Sequence, residues 1–208
     1  PTITDPSIMS LAWFTKGAAP TTTITFTWSI DYSFVWAQTG LLKAGVVFQA
    51  GQVWPADLST RNQVTLTQEN EVYTFENQTT GAATGNLYIT EDPSILADQV
   101  AVGVGMSGSG TFVKQGQPNW NLTFTPHPQY WIAFGSYTHG EVMDISSMSD
   151  AGLIQFPPNE YSMTVTLNPD NTWTIVPTSQ ANAAFLEAKR SQTWGQQMGA
   201  ALLRAASE

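Results

Sequence analysis

Two histidines, His127 and His139, are the side chains of this sequence whose charge changes nearest neutral pH. Glu141 follows closely on the second, so the three could form the two-histidine, one-carboxylate set that holds a divalent transition metal. Their spacing is not that of a metal-binding helix, in which the histidines are placed at i and i+4. The structural alternative is that His127 fills a stiff corner between Pro126 and Pro128.

Serine and carboxylate chemistry is a second possibility. The stretch GMSGSG, residues 105–110, is similar to the turn that presents a nucleophilic serine, but it lies between two strand-like runs, where a hairpin turn is the common use of glycine. The carboxylates that could form acid–base pairs lie among turn residues, which favours solvated loop ends: Glu69, Glu71, Glu76, Glu91, Asp92, Glu141 and Asp144. We therefore identify no catalytic residue and expect no cofactor, and we leave enzymatic activity open.

Aromatic side chains are abundant, with 8 Trp, 6 Tyr and 10 Phe. Most lie on the apolar phase of a strand and are expected in the core. Others break that phase or lie beside turns, and with the histidines they form the candidate ligand-binding set: Trp13, Trp54, His127, Tyr130, Trp131 and His139. Because adjacent strand residues point to opposite faces, one of each aromatic pair is exposed. Such a surface suits a neutral small molecule, a glycan or a lipid headgroup.

The elements that must position these residues are strands. Between Ile24 and Trp36 every even position is apolar and most odd ones are Thr or Ser, which is the period of a strand with one buried face. This run is too long for one ordinary strand, so we expect a bend near Asp31. Further alternating segments follow, and the clearest hairpin joins YSMTVTL to TWTIV through Asn168–Asn171. The pattern predicts an all-β protein, a two-layer antiparallel sandwich, with a barrel as second choice.

The composition changes after residue 178. Residues 179–208 are rich in Ala, Gln, Leu and Glu, which favour a C-terminal α-helix, with Thr178 or Ser179 as its N-cap. We predict a β-sandwich domain over residues 1–178 and a helical extension over residues 179–208. A helix of that length exceeds what one sheet face needs, so part of it is expected to project or to dock on another subunit.

Composition and charge exclude several classes of function. The formal net charge is −9 with a pI near 4.4, which disfavours nucleic acid, because affinity for phosphates depends on cations. There is no cysteine for a disulfide, a thiolate metal site or a nucleophile. No apolar run is long enough for a transmembrane helix, and no basic, apolar leader is visible. We expect a cytoplasmic protein or one exported without a leader.

Several segments together resemble the RhiA-like, rhizosphere-expressed proteins of soil bacteria and fungi. They are WSIDYSFVWAQTG, NLYITEDPSI, VGVGMSGSGTFV, NLTFTPHPQYWIAFGSY and FPPNEYSMTVTLNPDNTW, and the resemblance covers residues 10–178. It implies a compact β-rich protein without an established catalytic activity, so it assigns no functional residue. It also implies that a strand found in such proteins is absent upstream of PTITDPSIMSLAWF, which would leave one sheet edge open to another chain.

The leading hypothesis is a non-enzymatic binding or self-associating β-sandwich, a homo-oligomer that uses exposed aromatics, an open strand edge and the C-terminal helix. One alternative is a small-molecule pocket or metal-dependent enzyme around His127, His139 and Glu141, lined by Tyr130 and Trp131. A second alternative is a membrane-active sandwich toxin with an aromatic belt.

Overall fold

The computed structural model describes residues 7–127, 129–144, 148 and 150–190. They form fourteen strands and a helix, α1, over residues 178–190. The strands are β1 Met9–Leu11, β2 Tyr32–Ala37, β3 Gln52–Pro55, β4 Gln63–Glu69, β5 Val72–Thr79, β6 Leu87–Glu91, β7 Ala101–Met106, β8 Ser109–Gln115, β9 Asn121–Phe124, β10 Tyr130–Ile132, β11 Val142–Met143, β12 Gly152–Ile154, β13 Met163–Leu167 and β14 Trp173–Pro177.

The chain divides into two compact units. Unit 1 comprises residues 1–128 and 135–149, and unit 2 comprises residues 129–134 and 150–208. Residues 150–178 therefore belong to unit 2, and the domain boundary predicted at residue 178 stays a prediction. No helix among the described residues has the length and apolarity needed to cross a membrane.

Unit 1 is a two-layer β-sandwich, as the alternation predicts. One sheet has six strands in the order β11-β1-β8-β7-β2-β3, and the other has four in the order β5-β4-β6-β9. Every pairing in them is antiparallel except that of β4 with β6, which is parallel. The inner faces share one apolar core, in which Phe34 and Val102 of the first sheet join Leu66, Phe75 and Ile89 of the second. The all-β sandwich class is confirmed.

The six-stranded sheet is also buried on its other face. There Val35, Ala101 and Val113 pack against Leu42 and Phe48 from the segment between β2 and β3. Two covered faces explain why β7 reads AVGVGM without polar alternation, since a strand buried on both sides needs apolar or small residues at every position.

The long run from Ile24 to Trp36 bends where the sequence predicts, but only its second half is a strand. β2 begins at Tyr32, which lies opposite Met106, the last residue of β7. Among the described residues no sheet neighbour continues beyond that point, and residues 22–31 form neither a strand nor a helix. The strand prediction upstream of Tyr32 is therefore wrong, because periodicity reports a buried face and not the presence of a partner strand.

Unit 2 contains two small antiparallel pairs and helix α1. β10 pairs with β12, and β13 pairs with β14 in the register Val165 to Ile175, which confirms the predicted hairpin. Its turn closes with the Asn168 N–H donating to the Thr172 carbonyl, and Asn171 takes a left-handed φ of 62°. Helix α1 begins at Thr178, one of the two residues predicted as its N-cap. The rest of the predicted helix, residues 191–208, lies outside the described residues.

One carboxylate lies inside the sandwich. Glu91, the last residue of β6, is 0 % exposed, and its Oε1 has no hydrogen-bond partner among the described residues. Its Oε2 accepts one bond, from the Gln117 N–H at 3.3 Å. Burial raises the pKa of Glu91 to about 7, although that hydrogen bond and the Lys114 charge act in the opposite direction. The interpretation of Glu91 as a solvated loop end is therefore wrong.

Substitution of Glu91 by Gln should stabilise the fold above neutral pH. The ordinary pKa of 4.5 is raised to about 7 in the folded state, so ionisation costs nothing below pH 4.5, costs more as the pH rises, and reaches its full cost above pH 7. The glutamine side chain carries no charge, so we expect the free energy of unfolding at pH 8 to rise by about 3 kcal/mol at most, and the gain to vanish towards pH 4.5. Urea denaturation across this pH range measures it.

Glu76 provides the matched control, because it is an exposed glutamate on β5 of the same sheet. Glu76→Gln should not reproduce the pH-dependent gain. A Glu91→Gln protein that is less stable than the wild type at pH 8 would contradict the burial of an ionised carboxylate.

Candidate interaction surface

An extended aromatic arm precedes β2. We define the arm as residues 12–30. Trp13 stacks on Phe14 with ring centroids 4.4 Å apart and meets the edge of Trp28 at 5.8 Å, and Phe14 lies 6.2 Å from Phe26. Ile24 joins the half-buried side, while the threonines between these residues are exposed. The arm is therefore held by side-chain contacts along one apolar face.

The backbone of the arm is not part of a sheet. A bond from the Thr22 N–H to the Ala19 carbonyl, at 3.1 Å, closes the turn at its tip. Residues 23–27, Thr-Ile-Thr-Phe-Thr, make no backbone–backbone hydrogen bond with any other described residue. Lys16 Nζ donates to the Thr25 carbonyl and lies 5.4 Å from the Phe26 ring centroid. This stretch has the alternating sequence and the alternating burial of a strand, but no neighbouring strand among the described residues.

The root of the arm is fixed to the turn between β7 and β8. Asp31 Oδ1 accepts from the Ser107 N–H at 2.8 Å, and Ser107 Oγ accepts from the Ser29 N–H at 3.0 Å. Trp13 Nε1 donates to the Met106 carbonyl at 3.0 Å. The hydrogen bond from the Ser107 N–H is the main reason why the pKa of the Asp31 carboxyl lies below its ordinary value. The arm therefore leaves the sandwich from a defined point.

The segment GMSGSG, residues 105–110, contains the turn between β7 and β8. Ser107 and Gly108 both have a positive φ, 49° and 74°, and they connect β7 directly to β8. Two left-handed residues between antiparallel strands make a tight hairpin, which confirms the turn interpretation of this segment. Ser109, the first residue of β8, has its Oγ 3.5 Å from His139 Nε2 on the surface.

The two histidines occupy different kinds of position. His127 is exposed and follows β9, whereas His139 is exposed in the turn that leads to β11. In that turn Gly140 has φ 79°, and Glu141 Oε2 accepts from the Thr138 N–H at 2.8 Å. No group of three or more His, Asp or Glu side chains in the described ranges could hold a metal ion. The assignment of His127, His139 and Glu141 as metal ligands thus rests on the sequence alone.

The remaining candidate residues are distributed over the chain. Trp54 on β3 is half-buried, with its ring 6.4 Å from the core ring of Phe75. Tyr130 and Trp131 lie on β10 in unit 2, where Tyr130 meets Phe156 edge-on at 5.7 Å and Trp131 is 40 % exposed. Trp13 belongs to the arm. The pocket hypothesis draws on residues of both units and stays a prediction.

Two features of this surface had no signal in the residue pattern. The bond between Asp31 and Ser107 joins positions 76 residues apart, and only the three-dimensional fold brings them together. The lack of a partner strand for residues 23–27 among the described residues is equally invisible, because paired and unpaired strands share the same alternation. A resemblance that implied an open edge was the nearest sequence signal to it.

The chain is similar to known proteins over most of its length. The family model RhiA matches residues 1–178. The chain is 36% identical over 174 residues to Protein RhiA of Rhizobium leguminosarum bv. viciae, an alignment that covers 82% of this chain and 75% of that protein. No solved structure matches the chain. The family resemblance seen in the sequence is confirmed, and the chain belongs to the RhiA family.

Proposed function

We propose that this protein is a non-enzymatic, self-associating β-sandwich, and that the arm makes the contact between copies. The observation that carries the proposal is the state of residues 23–27, which alternate in burial as a strand does and make no backbone–backbone hydrogen bond with another described residue. An unpaired extended backbone offers a row of N–H and C=O groups that another strand can pair. The sequence predicted association through an open strand edge, and in this proposal the arm supplies the unpaired backbone.

Charge also favours the arm as the point of contact. The chain carries a net charge of −9, so two copies repel each other over most of their surface. Residues 17–30 contain no charged side chain. A contact through this stretch therefore brings together two neutral surfaces, and it buries aromatic side chains that are half-exposed in a single copy.

Surface chemistry explains why we favour association over catalysis. Ser109 and His139 are close enough for a weak hydrogen bond, but both lie on the surface, where water competes for the serine hydroxyl. Glu141, the carboxylate nearest to His139 in the sequence, accepts the Thr138 N–H in the turn. Such an arrangement is typical of a solvated loop rather than of a nucleophile whose base is oriented by a buried third group.

Proline in the arm should abolish association. Thr25 and Thr27 are exposed, and their N–H groups make no backbone bond within the described chain. The double variant Thr25→Pro/Thr27→Pro removes two donors that a neighbouring strand would need. We expect the wild type to be an oligomer and the variant a monomer, measured by sedimentation velocity at micromolar concentration.

The matched control is Thr25→Val/Thr27→Val, which keeps both N–H groups and the strand propensity. It should associate as the wild type does. Circular dichroism of all three proteins shows whether the sandwich is intact. A wild type that sediments as a monomer at every concentration contradicts the proposed function.

Removal of the root contact should loosen the arm without unfolding the sandwich. Asp31→Ala eliminates the acceptor of the Ser107 N–H, and the arm then retains fewer anchors on the β7–β8 turn. We expect faster limited proteolysis within residues 12–30, mapped by mass spectrometry, with the thermal midpoint of the sandwich little changed.

Asp170→Ala is the matched control for this experiment. Asp170 makes the same kind of bond, to the Thr172 N–H at 3.1 Å, in the β13–β14 turn. It should leave cleavage of the arm unchanged. Equal protection of the arm in Asp31→Ala and in the wild type would show that Ser107 does not anchor it.

A further inference from the structure

Three of the four lateral edges of the unit 1 sandwich are covered by contacts among the described residues. β3 and β5 face each other, and Gln52 Oε1 accepts from the Phe75 N–H at 2.9 Å while Gln78 Nε2 donates to the Pro55 carbonyl at 2.7 Å. At the edge of β11, the Val142 N–H donates to the Val46 carbonyl at 2.8 Å. The fourth edge belongs to β9.

The outer side of β9 has backbone N–H and C=O groups without a backbone partner among the described residues. Beside this strand the Glu91 N–H donates to the Trp120 carbonyl at 2.7 Å, which makes positions 91 and 120 a hydrogen-bonded pair. Because such pairs alternate along an antiparallel ladder, the N–H and C=O groups of Asn121 and Thr123 point away from β6. Within the described residues no backbone group pairs with them.

The side chains of β9 alternate in the same sense as those of the arm. Leu122 and Phe124 are buried in the core between the two sheets, and Asn121 and Thr123 are exposed. Residues 121–125 read Asn-Leu-Thr-Phe-Thr, and residues 23–27 read Thr-Ile-Thr-Phe-Thr. Residues 23–27, which belong to no sheet, thus have the same order of polar and apolar residues as β9, which forms an edge of the four-stranded sheet.

We propose that residues 23–27 of one copy pair with the outer edge of β9 in a second copy and extend its four-stranded sheet to five strands. Ile24 and Phe26 would then continue the apolar layer of Leu122 and Phe124, while the threonines would continue the exposed face. Five strand residues span about 17 Å, enough to cover the four residues of β9. The inference rests on the proposed self-association and names its receiving site.

This pairing joins two different surfaces, the arm of one copy and the β9 edge of the other. Such a contact is heterologous unless two copies exchange arms reciprocally, in which case it closes as a dimer. Otherwise each copy has one arm and one edge still available, and the assembly grows into a ring or a chain. The assembly size measured by sedimentation therefore distinguishes reciprocal exchange from propagation.

Disulfide trapping tests the pairing directly, because the chain contains no cysteine. Thr27→Cys or Thr25→Cys is placed in a chain with one affinity tag and Thr123→Cys in a chain with another, and the two are mixed and oxidised. We expect a disulfide that joins the two tagged chains. The matched control replaces Thr123→Cys by Thr67→Cys, which lies on β4 between β5 and β6 and should give no such product.

A second variant checks the receiving edge without a cross-link. Thr123→Pro removes an outward N–H of β9 but none that the ladder to β6 uses, so it should convert the oligomer to a monomer, whereas Thr123→Val should not. The β9 site is wrong if Thr123→Pro remains an oligomer and if, in the trapping experiment, no disulfide joins the two differently tagged chains. If Thr25→Pro/Thr27→Pro still abolishes that oligomer, the proposed self-association stands and only the receiving site is wrong.

Two further outcomes also overturn the β9 site. A disulfide formed mainly between two Thr27→Cys chains would mean that arm pairs with arm. One formed within a doubly substituted Thr27→Cys/Thr123→Cys chain, and not between chains, would mean that the arm pairs with its own β9. A wild type that is monomeric throughout contradicts both the receiving site and the proposed function.

Discussion

The requirement that an extended backbone find a partner for its N–H and C=O groups determines most of what is distinctive in this protein. β2 meets it by pairing with β7 on one side and β3 on the other. β7 ends at Met106, opposite Tyr32, and the same alternating sequence continues upstream of that point without a neighbour among the described residues. The strand-like half of the arm is therefore a local sequence preference that the fold of a single copy does not satisfy, and such mismatches are where function is expected.

The core of unit 1 contains a buried carboxylate oxygen without a hydrogen-bond partner among the described residues. Charged residues make up 11% of the chain, yet Glu91 occupies a fully buried position at the end of β6. It lies beside the loop that carries Gly116 and Gln117, where a side chain added at Gly116 would come within 2.8 Å of its Oε1. A carboxyl group there is compatible with burial in its neutral form, so Glu91 links the stability of the sandwich to pH.

The sequence anticipated the layers better than the connections between them. Alternation predicted β2 and the β13–β14 hairpin, because a half-buried strand has apolar residues at every second position. The prediction that Glu91 is a solvated loop end was wrong, because it was based on the turn residues Asp92 and Pro93 that follow it. Alternation also overextended β2, because the apolar side of residues 24–28 is covered by Trp13 and Phe14 from the arm itself rather than by a sheet.

The candidate surface was foreseen only as a set of residue types. One of each adjacent aromatic pair was expected to be exposed, but no pattern could reveal that Trp13 belongs to an arm anchored at Ser107, since the Asp31–Ser107 contact joins positions 76 residues apart. Hydrogen exchange of the arm amides, followed as a function of protein concentration, tests the central claim most directly. The account predicts that the amides of residues 23–27 exchange fast in dilute protein and become protected as the concentration rises. Fast exchange at every concentration would contradict it.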